Sequence, residues 1–63
     1  MSYLFEMAQP VAVEFEGQPR TGWIAQRDFD EDGNRYMVHI EIGEGVDLIT
    51  HEPWFAEANV SAV

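Results

Sequence analysis

The run RYMVHIEIG, residues 35–43, constrains this chain more than any other stretch. Tyr36, Val38, Ile40 and Ile42 alternate with Met37, His39 and Glu41, so one face of an extended segment is apolar and the other mixed. A period of two belongs to a half-buried β-strand, whereas a helix would space its apolar residues three and four apart. Such a strand needs neighbours for its backbone and cover for its apolar face, and the flanking sequence offers both. In VAVEFEG (11–17), Val11, Val13 and Phe15 share one face and Glu14 and Glu16 the other, a strand ending at Gly17. EGQP supplies a turn, and RTGWIAQRDF reads as a second strand with Gly22 at a bulge or a close backbone approach. DEDGN is the next turn, GEG breaks the chain after the third strand, and VDLITH is a short fourth strand with apolar residues in both phases. Pro53 cannot donate to a ladder and suits the first turn of a helix. PWFAEA is therefore expected to form a single α or 3-10 turn near residues 53–58, capped by Thr50 or Glu52, before NVSAV closes the sheet or frays.

With 63 residues the chain is expected to be one domain, residues 1–63, with an N-terminal extension over 1–9 and the β-fold over 10–60. A fold of this size buries only about 60% of the surface its unfolded chain exposes. There is no cysteine, which rules out a disulfide framework and a cysteine-based zinc site, so apolar packing has to supply the stability. Apolar residues at 46% and aromatics at 13% are too abundant for a disordered chain. Twelve acidic residues against three arginines and no lysine give a net charge of -9. Direct binding to nucleic acid or an anionic membrane is disfavoured, because phosphate contacts need clustered Lys or Arg, but the same field attracts a basic protein. No apolar run is long enough to span a bilayer, and MSYLFEMAQP lacks the basic start and long apolar centre of a signal peptide. A cytoplasmic protein is expected.

About five short antiparallel strands, tight hairpins and one helical turn before the last strand describe an all-β fold that resembles the SH3-like barrels. Val11 to Val60 is similar in layout to the plasmid-borne type II dihydrofolate reductases, small barrels of this kind that act as tetramers. GWI (22–24) stands where that family has a Gly-x-Ile, and VDLIT (46–50) lies near its Val-Gln-Ile-Tyr motif. The resemblance implies a pore lined by the Gln and Tyr of that motif plus a lysine. Asp47 and Ile49 stand in the motif here and the chain has no lysine, so the resemblance supports the barrel and argues against the reductase activity.

Few residues suggest chemistry. Asp28, Asp30, Asp32 and Gly33 match the opening of a calcium loop, but its twelfth position is His39 in place of a bidentate Glu, its eighth is Arg35, and the flanks read as strands. Asp-Gly between strands is a hairpin signal in its own right, which leaves the three aspartates a weak calcium candidate. His39 and His51 have no metal-ligand spacing, and a histidine in the outward phase of a strand is ordinarily solvated. Carboxylate pairs such as Glu14 with Glu16 would need a rigid cleft to act as acid and base. No catalytic residue, cofactor or metal site is therefore expected, although a pore shared between subunits would escape this limit.

The outer face of the central hairpin is the expected contact surface. With Ile24 facing Ile40, Trp23 lies across from Glu41, Ala25 from His39 and Arg27 from Met37. A register slipped by one residue would turn Trp23 into the core. Trp23, Arg27, Met37, His39, Glu41 and Trp54 are the expected partner-binding residues, since aromatics, Met and Arg are enriched in interface cores. THEPWFAE (50–57) reads as a plug in which Trp54 or Phe55 covers one end of the core, and Tyr3, Leu4, Phe5 and Met7 cap an end or form an oligomer contact. The expected function is a small acidic module that binds protein, as an adaptor or inhibitor of the kind a phage or mobile element carries, and self-associates. The alternatives are an acidic mimic of nucleic acid that blocks a DNA-binding protein, and an oligomer with a ligand-binding pore.

Overall fold

A computed structural model describes residues 2–63. Six strands form: β1 Pro10–Phe15, β2 Gln18–Asp30, β3 Gly33–Ile42, β4 Ile49–His51, β5 Trp54–Ala56 and β6 Ser61–Ala62, with 3-10 turns at Gly45–Asp47 and Glu57–Asn59. The antiparallel order is β4-β3-β2-β1-β6, and β5 pairs with β3 beside β4. No ladder among the described residues joins the two ends of this order, so the all-β fold is a curved sheet that its hydrogen bonds leave open. Among the same residues, no helix is long and apolar enough to cross a membrane.

The β1–β2 hairpin turns on Glu16 and Gly17, between the pair Phe15 and Gln18. Both central residues have positive φ, 54° and 77°, as a two-residue type I′ turn requires. At the β2–β3 hairpin Asp30 faces Gly33, and Asp30 Oδ1 accepts the Asp32 amide at 2.8 Å. This turn fixes a register different from the expected one. Arg27 faces Tyr36, Gln26 faces Met37, and a bulge at Ala25 then brings Ile24 opposite Val38 and Trp23 opposite His39. The extra residue inverts the phase of β2, so Trp23 and Gln26 both point outward while Arg27 turns toward the core side. Relative to the expected pairing Trp23 has moved by two positions, which preserves its face. Gly22 is fixed by packing, since a Cβ there would lie 2.0 Å from the His39 carbonyl oxygen.

The edge of β3 is covered in two pieces. Arg35–Met37 pairs with β5 and Ile40–Ile42 with β4, while the Val38 amide donates to the Pro53 carbonyl at 3.0 Å. Pro53 has no N–H, and it marks the break between two short strands, where the sequence suggested a helical start. Trp54–Ala56 is extended, and the 3-10 turn follows at Glu57–Asn59 without a side-chain cap. Neither Thr50 nor Glu52 caps it.

The core consists of Phe5, Val11, Val13, Ile24, Tyr36, Val38, Ile40 and Val60. Tyr36 is its centre. Tyr3 and Phe5 meet its ring edge-on, with centroids 6.0 and 5.3 Å away. Its hydroxyl donates to Glu57 Oε2 and accepts from the amides of Leu4 (3.0 Å) and Phe5 (3.3 Å). Asn34 Nδ2 donates to the same carboxylate oxygen at 3.0 Å and to the Ser2 carbonyl at 2.7 Å. In this way the N-terminal segment covers an end of the core through Tyr3 and Phe5, while Leu4 and Met7 remain exposed. β6 covers β1 at Val11 and Ala12, with Val60 buried beneath.

Burial, and then the hydrogen bond to Glu57, push the Tyr36 phenol above its ordinary pKa, whereas the Tyr36 hydroxyl and then Asn34 hold the Glu57 carboxyl below its own. A depressed carboxyl stabilises the fold above its unfolded value, about 4.3, and that contribution disappears as the pH falls through the folded value. Tyr36→Phe is expected to cost about 2 kcal/mol in urea unfolding at neutral pH and to flatten the acid limb of the stability curve. At the first hairpin, Glu16→Asn should raise stability by about 1 kcal/mol, because asparagine tolerates the left-handed region better. An unchanged or lower urea midpoint would show that the Glu16 backbone carries no strain.

Candidate functional site

The outward face of β2, β3 and β5 is organised in cross-strand rows. Trp23 lies beside His39, Gln26 beside Met37 and Trp54, and Asp28 beside Arg35 and Ala56. Trp23 and Trp54 are 41% and 42% exposed, on either side of Met37, and these fractions place both on the surface. Of the two residues expected to plug the core from THEPWFAE, Phe55 does so: it lies opposite Tyr36 and packs against the core, and Trp54 takes the outer phase because successive strand residues alternate faces.

His39 is the most constrained polar group of this face. Its ring stacks on the Trp23 indole with centroids 4.2 Å apart and planes 19° apart. Nδ1 lies 3.0 Å from Glu52 Oε2, in the segment between β4 and β5. Nε2 is buried without a well-formed hydrogen bond, 3.5 Å from Glu41 Oε2. The ring is thus mostly covered, at 18% side-chain exposure, where a solvated histidine was expected. Glu52 first, then Glu41, raise its pKa above the ordinary value against the opposing effect of desolvation. The ring joins β3 to the β4–β5 break through Glu52 and backs the Trp23 indole.

Arg35 shares the face. Its guanidinium pairs with Asp28 at 3.0 Å and Asp30 at 3.5 Å, and lies 5.4 Å from the centre of the Trp54 ring. The hydrogen bond to Arg35 and one from the Phe29 amide hold the Asp28 carboxyl below its usual range, and the same Arg35 contact raises the guanidinium pKa. Asp28 and Asp30 of the suspected calcium loop therefore face Arg35, and Asp30 also accepts the Asp32 amide in the turn. Among the described residues no three carboxylates or histidines converge as a metal would require.

Five of the six expected contact residues belong to this outer surface: Trp23, Met37, His39, Glu41 and Trp54. Arg27 does not. The Ala25 bulge turns it toward the N-terminal segment, where Nη1 donates to the Phe5 carbonyl at 3.3 Å and the guanidinium lies 4.6 Å from the Tyr3 ring centre. His51 lies in the opposite phase, its ring 5.1 Å from that of Phe15. The sequence reading missed Arg35 and Glu52. Their outward phase was legible for Arg35, but their pairing depends on how β4 and β5 dock on β3. Val46 to Thr50 splits between a 3-10 turn and β4, with Asp47 and Ile49 exposed.

Comparison with protein-family models, characterised proteins and solved structures gives no match to this chain.

Because the folded His39 pKa is raised, the contacts of its imidazolium stabilise the fold fully below about pH 6.5 and fade as the pH rises through the folded value. Glu52→Gln should bring the His39 titration, followed by NMR, back toward the ordinary histidine range and remove this stability loss on the alkaline side. A His39 titration identical in the variant and the parent would show that Glu52 does not hold the ring.

Proposed function

We propose that this chain is a non-catalytic binding module that engages another protein through the outer face of β2, β3 and β5, as an adaptor or inhibitor. One observation carries the reading: two tryptophans flank a methionine on a single sheet face and leave much of their area in water. Apolar area of this kind contributes roughly 25 cal/mol per Å² when removed from water, and Trp and Met supply much of it in interface cores. Trp23 is stacked on His39, and the backbone of Trp54 is held by pairing with β3, which lowers the ordering cost of binding at both rings. The polar groups beside them support binding over catalysis, because His39 Nδ1 and the Arg35 guanidinium are already engaged by carboxylates.

A photoreactive residue placed at position 37 is expected to yield a discrete protein adduct in extract of the producing cells, whereas the same residue at position 19, on the β1–β2 hairpin, yields none. Replacing Trp23 and Trp54 together with alanine should reduce that adduct at least tenfold while circular dichroism stays unchanged. Equal labelling at both positions, or none at position 37, would sink the proposal.

A further inference from the structure

We infer that the partner presented to this face is a cationic protein segment bearing two arginine or lysine side chains, one received beside each tryptophan, and not a second copy of the chain. The inference rests on the binding reading above and names the chemistry of its partner.

Each exposed tryptophan borders a shallow groove that also carries carboxylate. Beside Trp23, a groove of about 410 Å³ runs between Thr21, Gly22 and Pro10 and includes Glu41. Beside Trp54, one of about 290 Å³ includes Asp32 together with Asp30 and Arg35, which pair with each other, so Asp32 is the carboxylate left to receive a further cation there. An indole face next to a carboxylate suits a guanidinium or ammonium group, attracted by the ring quadrupole and by the anion together. The molecule already uses this chemistry internally. Arg35 lies over Trp54 while paired with Asp28 and Asp30, and Arg27 lies over Tyr3.

Charge decides between occupants. Asp28, Asp30, Glu41 and Glu52 border the face, and Arg35, the arginine among them, is already paired. A two-fold dimer would set this carboxylate-rimmed patch against itself and join two chains of net charge -9. A basic segment removes that repulsion and is steered in by the same field. Trp23 and Trp54 lie two strands and two residues apart, with their Cα atoms roughly 12 Å from each other by standard sheet spacings. An extended segment advances about 3.3 Å per residue, so basic side chains four positions apart span that separation on one face.

The test uses the full chain and twelve-residue glycine peptides carrying two arginines four positions apart, the same two arginines adjacent to each other, or two glutamates in place of the spaced arginines, all at 0.15 M salt. The spaced arginine peptide should quench tryptophan fluorescence saturably and bind at least fivefold tighter than the paired one, while the glutamate peptide does not bind. Trp23→Ala and Trp54→Ala should each weaken binding at least fivefold. Glu41→Gln, which keeps both rings, should weaken it at least threefold, and Glu14→Gln, outside the face, should leave it unchanged. Equal binding of the two arginine peptides, insensitive to these variants, would reduce the effect to general charge attraction and overturn the inference. A dimer at micromolar concentration in sedimentation, with both tryptophans shielded from acrylamide, would identify a second copy as the occupant. That result overturns the cationic partner but leaves the binding face standing, whereas failure of the position-37 adduct removes the face itself.

Discussion

The Tyr36 side chain is the contact on which the rest of this small fold depends. An open sheet has one face to cover and no ladder to close it, so the cover has to be attached by side chains. Tyr36 does this from the middle of β3: its ring receives Tyr3 and Phe5, and its hydroxyl joins the amides of Leu4 and Phe5 to the Glu57 carboxylate. Asn34 adds the Ser2 carbonyl to the same carboxylate. One phenol and one carboxylate thereby hold the N-terminal segment and the turn after β5 to β3. The phenol and the carboxylate satisfy each other, which is what allows them to sit against an apolar core.

With the inner face closed in this way, the outer face is free to carry function, and the Ala25 bulge determines its content. A single unopposed residue inverts the phase of β2. Upstream, Trp23 points outward onto His39; downstream, Arg27 points inward and holds the N-terminal segment through Phe5 and Tyr3. Without the bulge the turn would still set Arg27 opposite Tyr36, and Trp23 would have stood opposite Ile40 on the core side. The bulge is therefore what gives the proposed docking surface its first tryptophan.

The face is unequal in charge: His39 and Arg35 each lie beside a tryptophan and are each flanked by carboxylates, which leaves acidic groups in excess around it. The histidine couples this surface to the β4–β5 break through Glu52.

The sequence by itself determined the all-β character, the hairpin turns, the inward set Val11, Val13, Tyr36, Val38 and Ile40, and the outward phase of Met37 and His39, while it left the faces of Trp23 and Ile24 open between two registers. These follow from a period of two and from turn residues, which act over a few positions and need no knowledge of distant neighbours. Only the tertiary structure decided the register, the bulge, the extended state of Trp54–Ala56 and the role of Arg27. Register is set by a turn together with the fit of two strands, and a bulge leaves no composition signal in a run such as WIAQR. Trp54 became a surface residue because the unpaired edge of β3 offered its segment hydrogen bonds that a helical turn at Pro53 could not match. The propensity of Pro53 was local, and the vacant edge was not.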